Sequence, residues 1–454
     1  MSKAKLIDST SFIKNICEGY GENNFISPEI LNNPNVKRGL RNQDGTGVLA
    51  GVTKIGSVQG YKMVDGEREP VDGVLTYRGY SVSEIIDSID REDRFGFEEV
   101  VYLLLVGRLP GKSELEEFND MLAHHRNLPP NFTEDMIIKA PSSNVMNKIA
   151  RSVLALYSFD DNPDDTSLEN MMRQSLDLIA RLPMIAAQAY QVKRHYYEKK
   201  SMHLHVPPDN LSGAEMLLYC MRSNRKYTDE EAKLLDKCLI LHAEHGGGNN
   251  SAFTTRVLSS SGTDTYSAIA ASLCSLKGPL HGGANKRVVE MMEDIKKNVK
   301  NWKSDDEVSE YIAKIIRKEV GDRSGKIYGM GHAVYTLSDP RAAILKKHAK
   351  NLAAKNGFLE YFELIEAVER LTPDVFRVVK NSSKPLCANV DMYSGLVYEM
   401  LNIPHDLYTP IFAVARVAGL CAHRIEEIMT GGRIIRPGYK CISKYTPYIE
   451  LSDR

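Results

Sequence analysis

The chain is 454 residues long and 43% apolar, enough for two or three domains with ordinary buried cores. Its 58 basic and 59 acidic residues leave a net charge of -1, so no overall field favours nucleic acid or an anionic membrane, and an anionic ligand has to be met by local arginines. Seven scattered cysteines without Cys-x-x-Cys pairs read as reduced thiols in a cytoplasmic protein.

Residues 1–20 mix Lys, Asp, Glu and Asn without a continuous apolar core. They contain no arginine and are interrupted by Asp8 and Glu18, so neither a secretory signal nor a transit peptide is expected. No apolar run approaches the roughly 18 to 20 residues of a membrane helix. Residues 1–46, polar and Asn-rich with Lys37, Arg38 and Arg41, read as an N-terminal arm. From Gly47 to about Tyr80, Val48, Val52, Ile55, Val58, Tyr61 and Val64 stand between glycines and are followed by Val74, Leu75 and Tyr77, which predicts short strands or hairpins.

Beyond Ser81 the periodicity is helical. Ile85, Ile86 and Ile89 lead to Phe97, Val100, Val101, Leu103 and Leu104, closed by Leu109-Pro110-Gly111. Leu168, Met171, Met172, Ser175, Leu178, Ile179 and Leu182 recur at the same spacing. Thr228-x-x-Glu231 and Ser304-x-x-Glu307 each precede an apolar run and have the form of capping boxes. Further helices are expected at 211–223, 264–277, 286–300, 340–356, 359–371 and 408–429, making the fold mainly α with minor β elements near the N-terminus.

Four stretches put titratable groups beside glycine or at the end of an apolar run. In Gly278-Pro-Leu-His-Gly-Gly-Ala-Asn285, loop residues open into a helix, so His281 sits near a helix N-terminus, which disfavours the imidazolium. It reads either as a neutral functional imidazole or as a satisfied histidine in a tight turn. His242-Ala-Glu-His245 has i, i+3 rather than i, i+4 spacing and no evident third ligand, so no metal site is expected. His332 follows Gly329-Met-Gly331. Asp391, among apolar and small residues, is either a desolvated carboxylate suited to proton abstraction or the cap of a helix beginning near Tyr393. Arg341 follows Asp339-Pro340, Arg416 lies within the apolar segment 411–420, and Arg436 precedes Pro437. Arginine on an apolar stretch calls for a carboxylate, either of a ligand or of a structural ion pair.

Taken in order, His242-Ala-Glu-His245, Gly278 to Asn285, Gly329-Met-Gly-His-Ala-Val-Tyr335, Asp339-Pro-Arg341, Asn389-Val-Asp-Met-Tyr-Ser-Gly395, Phe412-Ala-Val-Ala-Arg416 and Arg436-Pro437 resemble the citrate synthase family. The resemblance runs from about Gly47 to the C-terminus. It implies a large helical domain (47–280 and 399–454) and a smaller one (281–398) that closes over the active site with His281 at the hinge. It further implies that Asp391 removes a methyl proton of acetyl-CoA, that His281 donates a hydrogen bond to the enolate oxygen, and that His332 protonates the ketone oxygen of oxaloacetate.

On the same resemblance His245, Arg341, Arg416 and Arg436 hold oxaloacetate, and Arg436 reaches the partner's site in a homodimer. Gly329, Gly331 and Lys384 match positions that meet CoA. No cofactor is implied, acetyl-CoA being a substrate, and the expected location is the cytoplasm. Glu244 and Gly246 depart from the Asp and Glu of many relatives, and Thr336 and Ser382 stand where some carry basic residues. Three other readings are a 2-methylcitrate synthase using propionyl-CoA, a non-catalytic acyl-CoA-binding helical scaffold, and a metal-dependent hydrolase built on His242 and His245. The scaffold requires a lost catalytic group, and all three are present.

Overall fold

The computed structural model describes residues 9–65, 67–382 and 385–454, and contacts divide the chain after Val52 into two units. The first holds three short helices, α1 (Ser9–Cys17), α2 (Tyr20–Asn23) and α3 (Pro28–Leu31). Gly47, expected to start a strand, pairs with Arg41 in an isolated bridge, and the Val48 N–H donates to Leu40 O. With these backbone groups bonded locally, the predicted strand starts late.

The sheet begins at Gly56. It is a three-stranded antiparallel meander of β1 (Gly56–Val64), β2 (Glu67–Tyr77) and β3 (Tyr80–Ser81), with a register shift between Gln59 and Tyr61. The longer regular elements after it are helices. The series opens with α4 (Val82–Glu92), α5 (Phe97–Val106), α6 (Lys112–His124), α7 (Val145–Leu156), α8 (Leu168–Glu198), α9 (Gly213–Met221), α10 (Asp229–His242), α11 (Asn250–Ser259) and α12 (Thr265–Lys277). It continues with α13 (Ala284–Asn298), α14 (Asp305–Ile316), α15 (Pro340–Lys355), α16 (Leu359–Lys380), α17 (Asp391–Met400) and α18 (Tyr408–Met429). None is long and apolar enough to cross a membrane.

Two helices outrun their sequence signals. α8 passes through Pro183 and α16 through Pro373. A proline costs the helix one hydrogen bond, but α8 is buried almost continuously from Asn170 to Val192 against α7, α9 and α18, and that packing outweighs the loss. Thr228 and Glu231 form both arms of a capping box, whereas Glu307 accepts the Lys300 and Asn301 N–H groups instead of returning to Ser304.

α18 packs on α5, α8, α10, α11 and α12, while α13 to α17 pack largely on one another. β1 and β2 lie against residues 334–338 through glycines. A Cβ at Gly60 would come 2.6 Å from Val334 O, and one at Gly73 2.2 Å from Ser338 O. A third close approach holds α18: a Cβ at Gly419 would lie 2.4 Å from Ala243 O and 2.5 Å from Glu244 Oε2. Gly419→Ala is therefore expected to push the turn after α10 off the helix and to cost about 1 to 3 kcal/mol, read as a lowered denaturation midpoint. An unchanged midpoint would show that the turn is not held there.

Candidate active site

One stripe of α18 holds the turn that follows α10. Phe412, Arg416, Gly419 and His423 lie three or four residues apart, hence on one face. The Phe412 ring meets His242 edge-on at 4.6 Å, and the Arg416 guanidinium stands 4.6 Å over Phe412. Arg416 Nε donates to His242 O at 2.7 Å, and His423 Nε2 lies 3.0 Å from Glu244 Oε1. His423 Nδ1 accepts from Arg256 Nη2, so Nε2 carries the proton to Glu244. Arg256 is itself paired with Glu426 and Glu427. From the other side the Tyr77 hydroxyl donates to Ile240 O and lies 3.2 Å from Glu244 O. Glu244 thus meets His423 and the Gly246 N–H with Oε1, while Oε2 has no hydrogen-bond partner among the described residues.

Held this way, His245 meets the segment before α15. Its ring is edge-on to His332 at 5.1 Å and to Tyr335 at 5.7 Å, and His332 stacks on Tyr335 at 4.6 Å. His332 Nδ1 accepts the N–H groups of Val334 and Tyr335, each at 3.1 Å, so the neutral ring keeps its proton on Nε2. Asp339 accepts from Arg341 Nε at 3.0 Å and from Nη2 at 2.7 Å, which leaves Nη1 as the uncommitted end of that guanidinium.

Arg416 differs. It is 1% exposed, makes no ion pair among the described residues, and has both Nη1 and Nη2 buried without a partner. His245 Nε2 is likewise buried and without a hydrogen-bond partner among the described residues.

Asp391 is the first residue of α17, not its cap: its own N–H is bonded by Asn389 Oδ1 at 3.0 Å. That corrects the capping alternative, and the carboxylate itself makes no hydrogen bond among the described residues. Burial pushes it up to about 6, against the pull of Arg341 and with help from Asp339. His281, in the turn before α13, has Nε2 3.1 Å from the Ser251 hydroxyl, which lies 2.8 Å from Asn249 Oδ1. Burial and then Arg416 lower His281 to about 4; burial and then Arg341 do the same to His332. The neutrality expected of His281 from a helix dipole therefore has a nearer cause. Burial and Arg341 also hold His242 and His245 well below the usual histidine range, and burial lowers Arg416 to about 10 although Glu244 opposes it.

Residues 43–438 match the family model of the citrate synthase C-terminal domain. The chain belongs to the citrate synthase family. A citrate synthase of Synechocystis is 34% identical over 392 residues, covering 86% of this chain and 90% of that relative, and citrate synthase 2 of Bacillus subtilis is 36% identical over 371 residues, covering 81% and 90%. Among solved structures, the citrate synthase of Pyrobaculum aerophilum superposes with a TM-score of 0.73 at 30% identity, covering 91% of this chain and 94% of that one. That of Thermoplasma acidophilum, in ternary complex with carboxymethyl coenzyme A and oxaloacetate, gives 0.75 at 26%, covering 93% and 100%.

Of the residues singled out in the sequence, His245, His332 and Arg341 share one cluster with Arg416, and Arg416 and Arg341 lie near enough to act electrostatically on His281 and Asp391 respectively. Arg436 is exposed in the extended tail after α18 and touches none of them among the described residues. Lys384 lies outside the described residues. Gly329 and Gly331 have φ of 83° and 88°, so their backbone shape already requires glycine. Among the described residues no three His, Cys, Asp or Glu side chains converge to hold a metal ion.

Tyr77 reads in the sequence only as a strand residue and Tyr335 only as the end of a motif, and His423 is missed. His423 had a signal, seven residues after Arg416 on an apolar helix. The hydrogen bonds make one feature measurable: His332 should show pyrrole-type Nε2 and pyridine-type Nδ1 ¹⁵N shifts at neutral pH, with protonation only near pH 4. The opposite tautomer would contradict the geometry.

Proposed function

We propose that the chain condenses acetyl-CoA with oxaloacetate and hydrolyses the thioester product to citrate and CoA. The observation that carries this reading is a raised carboxylate, Asp391, and a neutral histidine, His332, both under the influence of Arg341, together with a second neutral histidine, His281, under that of Arg416, a buried arginine with no ion pair among the described residues. The Thermoplasma acidophilum relative, solved as a ternary complex with carboxymethyl coenzyme A and oxaloacetate, supports the same two substrates here.

Arg416 offers both Nη groups to one carboxylate as a fork, while Arg341 offers Nη1, with His245 completing the seat. The His332 Nε2–H donates to the ketone oxygen. Asp391 takes a methyl proton from the acetyl thioester, and the resulting enolate carbon bonds to the ketone carbon as His332 passes its proton to that oxygen. Water then attacks the thioester carbonyl and the CoA thiol leaves.

His281 stabilises the enolate oxygen only as an Nδ1–H donor. Ser251 has one hydroxyl proton and two acceptors, Asn249 Oδ1 and His281 Nε2, so that role requires Ser251 to turn its proton to His281. Closure of residues 281–398 over the rest would exclude water before acetyl-CoA is deprotonated. We assign the active unit as a cytoplasmic homodimer in which the exposed Arg436 completes the partner's oxaloacetate seat. No cofactor is required.

Release of CoA thiol from acetyl-CoA plus oxaloacetate tests the reading, and Asp391→Ala should lower it by about 10²- to 10⁴-fold. Asp391 accepts a proton only when ionised, so activity should fall with pH. The acid limb of kcat/KM should follow one group near 6, because both histidines stay neutral down to about 4. A limb near 4 would remove Asp391 from the role. A higher specificity constant for propionyl-CoA would move the assignment to 2-methylcitrate synthesis; one methylene is worth only about 1 to 3 kcal/mol.

A further inference from the structure

The loop that carries His332 and the helix that carries Asp391 are tied together by one side chain. The Asn389 N–H donates to Gly329 O at 2.8 Å, its Nδ2 donates to Gly331 O at 2.9 Å, and its Oδ1 accepts the Asp391 N–H at 3.0 Å. Around it, the Gly331 N–H donates to Cys387 O at 2.7 Å and Met330 pairs with Ala388 in an antiparallel bridge. The amide cannot flip without losing both side-chain bonds, since one end must donate and the other accept.

We infer that Asn389 is a positioning residue that sets the distance between the proton-accepting carboxylate of Asp391 and the proton-donating ring of His332. The inference rests on the roles given to those two groups above. His332 follows the carbonyl held by Nδ2 and Asp391 carries the N–H held by Oδ1, so one amide spans the two chemical groups and transmits the position of each to the other. Misplacing reacting groups by about 1 Å costs on the order of 10²-fold in rate. No other side chain among the described residues bonds both loops.

A plain helix cap is the competing account, and it needs only the oxygen. Asp and Ser serve about as well as Asn at an N-cap. The tie needs the NH₂ group too: Asn389→Asp keeps an oxygen for the Asp391 N–H but sets a carboxylate against Gly331 O, and Asn389→Ser keeps the cap and reaches no further. The carboxylates of oxaloacetate are met by Arg416, Arg341 and His245, which sit on other elements, and only its ketone oxygen meets the tied His332, so most of its binding need not follow the tie.

The test uses the full-length protein with both variants. We expect kcat to fall about 10- to 100-fold in each while the KM for oxaloacetate stays within about twofold. Amide hydrogen exchange gives a second readout that needs no turnover: protection at Gly331 and at residue 389 should drop, and the Asp391 amide should stay protected. Wild-type kcat in Asn389→Asp, or unchanged protection at Gly331, would reduce Asn389 to a cap and overturn the inference. A parallel fall in oxaloacetate affinity would also overturn it, as general damage to the site. If the wild-type protein made no citrate, the functional reading would fail while the exchange experiment would still decide whether Asn389 ties the loops.

Discussion

Arg416 is a cation buried at 1% exposure with two nitrogens that have no hydrogen-bond partner among the described residues. Desolvating such a charge costs several kcal/mol, and the protein offsets only part of that through the His242 carbonyl and the face of Phe412. Glu244 acts on it electrostatically but is committed to His423 and the Gly246 N–H. The α18 stripe, the glycine that lets the 242–246 turn approach, and the Glu244–His423–Arg256 chain all hold this uncompensated charge in place. A site built so is completed by an anion.

The same dry surroundings prepare the proton chemistry. Burial raises a carboxylate and lowers an imidazole, so Asp391 is brought to about 6 while His281 and His332 drop to about 4. Arg416 depresses His281 further and Arg341 depresses His332, while Arg341 also pulls Asp391 back from a higher value. One kind of environment thereby gives a carboxylate that is ionised near neutral pH and imidazoles that are uncharged, the sorting on which acid and base roles depend.

Much of this was legible in the sequence, because the side chains proposed to react sit in short motifs whose order is specific. His281, His332, Asp391, Arg341 and Arg416 could be named there. What holds them could not. Tyr77 is more than 160 residues from the turn it pins, and Asn389 looks like any helix cap until its NH₂ is seen on Gly331. Asp391 itself read equally as a cap, since local sequence does not say which of two nearby side chains bonds the first free N–H. Helices through Pro183 and Pro373 escaped for a related reason: local chemistry argues for a break and only burial argues against it. The strand expected at Gly47 failed in the other direction, its backbone being bonded by a neighbour only a few residues away.

The central claim is that the unpartnered guanidinium of Arg416 is the seat of a substrate carboxylate. Calorimetric titration of oxaloacetate into Arg416→Met tests it most directly. Loss of about 2 to 5 kcal/mol of binding is expected, together with an unliganded protein at least as stable as the wild type, since the buried charge is gone. Affinity within twofold of wild type would contradict the account.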